Sequence, residues 1–196
     1  MLCLTLTGRT RKENLFLYEK NSQWVGAVEF RLDYFDEPEL AYAHEMSTII
    51  PVPVILTCRR ESDGGRFTGT ERKRLALLKS VLSQGSFAFI DLEDDLRRNE
   101  VENLAHEKNV RIIRSHHDFS GMPADIYARI ARITARGELP KLAVTPHTLE
   151  DVIRLFRIKD EIPETTEKIV IGMGELGIPT RILYKKIGSS LMFCCD

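Results

Sequence analysis

Long apolar runs are missing: polar or charged residues interrupt every hydrophobic stretch well before the roughly 18–20 residues that a membrane span needs. A charge surplus is missing too. The 28 basic and 29 acidic side chains leave a formal net charge of −1, which gives no support to a nucleic-acid or membrane-surface partner. Cysteine is sparse, with four residues and no CxxC pair, and the neighbours Cys194 and Cys195 have a spacing that rarely bridges. A reduced, cytoplasmic protein without a disulfide framework or a zinc site is therefore expected. The first residues, MLCLTLTGRTRKEN, place no basic residue ahead of their short apolar run, unlike a signal peptide, so the chain is expected to begin near Met1. Low-complexity tracts, repeats and linker-like stretches are absent, which predicts one domain over residues 1–196.

What is present is a steady alternation. β-rich runs lie at 2–7, 27–33, 54–59, 87–93, 110–118, 139–146, 168–174 and 189–195. Their spacing of roughly 20–33 residues is the pitch of a strand–helix unit. Most are apolar on both faces, as strands of a parallel sheet covered by helices must be. Helices are expected between them. Residues 71–84 carry Leu75, Leu77, Leu78, Val81 and Leu82 on one stripe behind a Thr70 N-cap. Residues 148–160 open with a T-x-x-D cap and are expected to bury Leu149, Val152, Ile153, Leu155 and Phe156. Residues 38–50, 96–108 and 123–136 read as helices as well, with Pro38 and Pro123 in first turns.

Eight strand–helix units predict a (β/α)8 barrel. An open doubly wound sheet is the rival, but no G-x-G-x-x-G follows the first strand. The GMGELG at 172–177 has that spacing in the wrong place, after the seventh strand.

Several strands carry charge where a barrel should be apolar. Alternate strand residues face the axis or the helices. Val28, Phe30 and Leu32 take the helix side of strand two, which turns Glu29, Arg31 and Asp33 inward. Thr57 and Arg59 share a face of strand three, and Ser115 and His117 share one of strand five. Lys141 interrupts an apolar run in strand six. A buried charge costs several kcal/mol unless paired, and barrel enzymes build their sites at the C-terminal ends of strands. Each residue also has a plainer reading. Glu29 and Arg31 could form an ion pair sealing the barrel mouth, Arg59–Arg60 a solvated loop pair, and His116–His117 a polar strand end. Lys141 could snorkel outward. Together, a lysine, a histidine, arginines and carboxylates suit imine chemistry on a small anionic carbonyl compound. A desolvated lysine amine is a nucleophile, a histidine moves protons near neutral pH, and arginine forks hold carboxylates.

At these residues the sequence resembles type I 3-dehydroquinate dehydratase, a Schiff-base lyase of the shikimate pathway. The motifs are E-F-R-L-D (29–33), L-T-C-R-R-E-S-D-G-G (56–65), S-H-H-D-F (115–119), P-K-L-A-V-T-P (140–146), G-M-G-E-L-G-I-P-T-R (172–181) and I-G-S-S-L-M-F (187–193). The resemblance implies that Lys141 forms an imine with the C3 ketone of 3-dehydroquinate. His117 then takes the C2 proton and helps the C1 hydroxyl leave as water, giving 3-dehydroshikimate with no metal or organic cofactor. His116 falls at a variable position. Asp63 stands where many members carry a glutamate that orients the histidine, and the shorter side chain departs from that pattern. Glu29, Arg31 and Arg59 match substrate-binding positions, and Arg181 matches the arginine that clamps the substrate carboxylate.

The resemblance also implies a homodimer, as is common in the family, and admits a longer product fused to shikimate dehydrogenase. Members continue past the eighth strand with a loop resembling A-P-G-Q and a final helix, whereas this sequence stops at Cys194-Cys195-Asp196. It therefore reads as shortened at the C-terminus, with Leu191, Phe193 or their neighbours open to water. Two other functions compete: another class I aldolase-like Schiff-base lyase, using GMGELG for a phosphate, and a catalytically dead barrel that senses quinate-like ligands. The second would be expected to lose the lysine or the histidine, and both are present.

Overall fold

Strands form at each of the eight β-rich runs: β1 (Leu2–Leu6), β2 (Ala27–Arg31), β3 (Val54–Thr57), β4 (Phe89–Glu93), β5 (Arg111–Asp118), β6 (Leu139–Val144), β7 (Ile169–Gly172) and β8 (Met192–Cys194). The computed structural model describes residues 1–96 and 100–195. The strands stand in the order β7-β6-β5-β4-β3-β2-β1-β8, sequential neighbours joined by helical crossovers, as the (β/α)8 topology requires.

The chain divides into two compact units, residues 1–112 with the stretch from Phe193 onward, and Ile113–Met192. In the first, β1 to β4 pair in parallel, with Thr5 opposite Glu29, Arg31 opposite Thr57 and Thr57 opposite Asp91. Val28, Phe30, Leu56, Ile90 and Leu92 pack with helical Leu78, Val81 and Leu82 in one apolar core. In the second, β5, β6 and β7 pair in parallel, with Ser115 opposite Lys141 and Lys141 opposite Ile169. There Leu142, Val144 and Val170 pack with Ile126, Ile130, Leu155 and Ile158. Strand side chains alternate, so in each unit the remaining strand face points away from the helices. That face carries the charged residues.

The helices begin where local chemistry satisfies their first N–H groups. α1 (Arg11–Asn21), not expected from periodicity, starts at Thr10, whose side chain accepts from the Glu13 N–H. Leu15, Leu17 and Tyr18 of α1 pack against the first unit's core, and Asn14 is its one buried residue. The Thr10-x-x-Glu13 signature was the signal available. Residues 38–50 form no continuous α-helix. They make a 3-10 segment, Glu37–Glu45, with Pro38 in its first turn, and then the single α-turn α2 (Met46–Ile49). α3 (Glu71–Gln84) matches its expected span and its Thr70 cap.

α4 (Glu100–Glu107) is shorter than expected, and the 97–99 part of that expectation lies outside the described residues. α5 (Ile126–Thr134) starts three residues beyond Pro123. The Asp125 carbonyl receives the Arg129 N–H at 2.9 Å as the helix opens, and the Asp125 carboxylate holds the Arg129 guanidinium at 3.0 Å. α6 (Leu149–Glu161) has the reciprocal Thr148–Asp151 capping box. Its buried stripe is Val152, Leu155 and Ile158, whereas Leu149 and Ile153 are 73% and 44% exposed, contrary to expectation. A three-residue repeat drifts round the helix, so Leu149 in the first turn lies well off the buried centre at Leu155, and Ile153 faces nearly the opposite side. α7 (Ile178–Ile182), also unexpected, is a single short helix with Pro179 in its first turn. At the end of the chain Leu191 and Met192 are buried and Phe193 is half-buried, so the open groove expected at Leu191 is not there.

Candidate active site

In the first unit the inward face of β2, β3 and β4 is a network of paired charges. Glu29 is buried and accepts hydrogen bonds from the Thr5 hydroxyl at 3.2 Å and the Thr57 hydroxyl at 3.1 Å. Arg31 makes a two-pronged contact with Asp33, Nε to Oδ1 at 2.9 Å and Nη2 to Oδ2 at 2.6 Å. The carboxylate that holds the Arg31 fork is Asp33, and Glu29 contributes through its charge. Burial disfavours the Arg31 cation, but the Asp33 hydrogen bonds and the Glu29 charge outweigh that and raise its pKa.

Arg59 follows β3 and is 3% exposed, so it is not part of a solvated loop pair. Its guanidinium meets Asp91 at 2.8 Å and Glu93 at 2.9 Å. Burial works against its charge, yet Asp91, Glu93 and Glu29 together hold its pKa above the ordinary arginine range. Glu93 is shared with Arg74 of α3, whose Nη2 lies 2.7 Å from it and whose Nη1 donates to the Cys58 carbonyl at 2.5 Å. Burial first, then the nearby carboxylates, push the Cys58 thiol up to about 12, which keeps it protonated and unreactive.

Only Arg60, next in sequence, belongs to the surface. It pairs with Asp63 at 2.8 Å and Asp95 at 3.0 Å. Asp63 therefore sits in a loop, held by Arg60 and by the Ser62 hydroxyl at 3.0 Å. Gly64 follows with φ of 77°, and any Cβ on Gly65 would overlap the Arg59 carbonyl. Both glycines are needed for this tight return.

In the second unit the inward face holds Lys141 and His117. All six residues of β6 are buried, and Lys141 is 4% exposed, so its side chain does not snorkel outward. Buried Ser115 lies opposite it on β5, and His117 lies opposite Ala143, one inward position further along. With about 3.3 Å per residue along a strand and about 4.8 Å between strands, the two Cα atoms are about 8 Å apart on one face. That leaves room for a small molecule bonded to one side chain to be reached by the other. His116 takes the opposite face, level with Leu142.

The loop after β5 is tied to the loop after β6. Thr145 donates to the Asp118 carbonyl from its N–H and from its hydroxyl, both at 3.0 Å, and the His147 ring contacts the Ser120 carbonyl at 2.9 Å. Hydrogen bonds from the Ser120 hydroxyl and the Ser120 and Gly121 N–H groups hold the Asp118 carboxyl below the usual range. Half-exposed Phe119 stacks on the His117 ring, centroids 6.4 Å apart.

Arg181 is an exposed cation on α7. The GMGELG glycines serve its placement. Thr180 Oγ1 accepts from the Gly172 N–H at 3.0 Å and donates to the Gly177 carbonyl at 2.7 Å. A Cβ on Gly177 would overlap the Gly172 carbonyl, and Gly174 has φ of 66°. The G-x-G-x-x-G spacing here packs a loop upon itself, which weakens the phosphate-site reading. Among the described residues no cluster of three His, Cys, Asp or Glu could hold a metal, and no helix is long and apolar enough to cross a membrane.

The family described as Type I 3-dehydroquinase matches residues 2–195. The chain belongs to that family. A 3-dehydroquinate dehydratase of Archaeoglobus fulgidus is 34% identical over 184 residues, covering 93% of this chain and 83% of that protein. The crystal structure of 3-dehydroquinate dehydratase from Geobacillus kaustophilus superposes with a TM-score of 0.87 at 26% identity, covering 99% of this chain and 81% of that one. The fold is the (β/α)8 barrel. A Schizosaccharomyces pombe structure titled dehydroquinate dehydratase and shikimate dehydrogenase shares the fold, with a TM-score of 0.74 at 23% identity over 40% of its chain.

Asp91, Glu93 and Arg74, buried and paired in the first unit's network, carried no expectation from the sequence. I-D-L-E at 90–93 alternates apolar and acidic residues just as β2 alternates apolar and charged ones. Arg74 stands four residues before Leu78, at a core position of the α3 stripe. Both signals were there to be found, as charges on faces that are otherwise buried.

Proposed function

We propose that this chain dehydrates 3-dehydroquinate to 3-dehydroshikimate, a step of the shikimate pathway, as one catalytic domain. The observation that carries the reading is Lys141, buried on the inward face of β6 within a type I family motif, with His117 on the same face of the neighbouring strand β5. The Lys141 amine adds to the C3 ketone, and loss of water leaves a protonated imine. That imine is an electron sink, so the imidazole of His117 can remove the C2 proton, and the electron pair moves into an enamine. The pair then returns and expels the C1 hydroxyl, which takes a proton from His117 and leaves as water. Hydrolysis of the new imine frees 3-dehydroshikimate and restores Lys141. Side chains and water balance every step.

Arg181 binds the substrate carboxylate. Glu29, Arg31 and Arg59 are further substrate-binding residues. Asp63 takes the place of the family's usual glutamate. The substrate is a small molecule, with no nucleic acid or membrane involved, and a cytoplasmic homodimer completes the reading. Borohydride added during turnover should reduce the imine onto Lys141, giving a peptide heavier by the reduced adduct. An adduct on another lysine, or none, would refute the assignment. Sedimentation and cell fractionation test the dimer and its compartment.

A further inference from the structure

Asp33 follows β2 and belongs to none of the roles above, yet its side chain is fully buried. It accepts four hydrogen bonds. Oδ1 takes Arg31 Nε–H at 2.9 Å and the Arg59 N–H at 3.0 Å. Oδ2 takes Arg31 Nη2–H at 2.6 Å and the Arg66 N–H at 3.0 Å. A carboxylate has two acceptor sites on each oxygen, so its capacity is filled.

The four donors are not scattered. Two belong to the Arg31 fork. The other two are the backbone N–H groups at either end of the loop in which Asp63 sits. Between them the loop closes on itself, with Phe67 N–H donating to the Arg59 carbonyl at 3.2 Å and Gly65 N–H to the Arg60 carbonyl at 2.8 Å. The guanidinium carbons of Arg31 and Arg66 lie 5.0 and 4.2 Å from the centroid of the Tyr34 ring, beside the same carboxylate. Burial pushes the Asp33 pKa up, but the Arg31 hydrogen bonds and charge and the two backbone N–H groups hold it below the usual carboxylate range.

We propose that Asp33 is a positioning residue of the active site: one carboxylate sets the Arg31 guanidinium and both ends of the loop that carries Asp63. The proposal rests on the reading that Arg31 and Asp63 serve the reaction. Asparagine cannot replace it. Its amide nitrogen is a donor, so one of the two oxygen positions would face two N–H groups with a third donor.

Two measurements on the full chain test this. In the wild-type protein, hydrogen exchange should show the Arg59 and Arg66 amides protected although Arg66 lies on an exposed loop. Free exchange at either amide would overturn the clamp, and this arm needs no variant. In Asp33→Asn both amides should exchange about 10- to 100-fold faster, the factor carried by a hydrogen bond to a charged group, with β6 and β7 amides unchanged. Unchanged exchange at both amides would also overturn it.

The second measurement is kcat/KM for 3-dehydroquinate. Asp33→Asn should lower it about 10- to 100-fold. In an Arg31→Ala/Asp63→Ala background the same change should cost less than about 3-fold, because those two side chains are already gone and the Arg59 guanidinium is held independently by Asp91 and Glu93. An equal cost in both backgrounds would overturn the positioning role. If Arg31→Ala/Asp63→Ala itself keeps wild-type kcat/KM, the roles given to those two residues fail and the catalytic half of the proposal falls with them. The exchange arm would then still report the clamp separately.

Discussion

Replacing Arg74 by methionine tests whether the buried charges of β3 and β4 act as one network. Arg74 is fully buried on α3, and its guanidinium contacts Glu93, the Cys58 carbonyl and Glu71. Methionine keeps an unbranched apolar stem but removes every donor. Glu71 is 38% exposed and can turn to water. Glu93, 3% exposed, cannot, and it keeps the Arg59 contact at 2.9 Å while its other oxygen loses the 2.7 Å partner. Removing one partner of a buried ion pair costs about 3–5 kcal/mol. That is a large share of a typical domain stability of about 5–15 kcal/mol. For a chain of this size each kcal/mol moves Tm by about 2–4 °C, so a fall of about 6–20 °C is expected. Urea titration followed by two independent probes gives the free energy and checks that one transition is being read. Adding Glu93→Gln to Arg74→Met should return part of the loss, since the charge that lost one of its partners is then gone and Arg59 still has Asp91. A loss below about 1 kcal/mol for Arg74→Met, or a further equal loss in the double variant, would refute the network.

Other outcomes are expected from the same geometry. His117→Ala should still form the Lys141 imine but lose about 10²–10⁴-fold in turnover, whereas His116→Ala, on the opposite face, should do far less; equal losses would contradict the β5 register. Arg181→Ala should raise KM and lower kcat, and Arg181→Lys should recover only part, because a point charge cannot copy the planar fork; unchanged kinetics in both would move the carboxylate elsewhere. Lys168 is buried, and its ammonium donates to the Thr166 carbonyl at 3.2 Å. Burial lowers its pKa, with partial relief from Glu164, so the folded chain gives up this proton before the unfolded chain does. Stability should therefore rise with pH between the lowered folded value and the ordinary lysine value, and Lys168→Met should flatten that rise; a variant with the wild-type pH slope would refute it.

Much of the fold was legible because local chemistry and short-range periodicity agree. The eight β-rich runs became eight strands. The Thr70 cap and the Thr148–Asp151 box marked α3 and α6 to within a residue, since a cap needs only partners three residues apart. Alternation alone put Glu29, Arg31, Asp33, Thr57, Ser115 and His117 on faces away from the helices, and the placement of Leu142 in the core turned Lys141 the same way. The family motifs supplied the roles.

What sequence could not reach were the choices made between distant residues. That Arg31 answers to Asp33 while Arg59 answers to Asp91 and Glu93, 32 and 34 positions away, depends on which strands become neighbours. That Leu149 and Ile153 stay exposed depends on how α6 is rotated against its strands, which an apolar stripe wider than its contact leaves undetermined. The spacing of GMGELG admitted a phosphate loop until Thr180 and the close approach of Gly172 to Gly177 accounted for it. A buried charge must find its partners in three dimensions. Sequence can show that a charge is misplaced on an apolar face, and only the packed chain decides what holds it there.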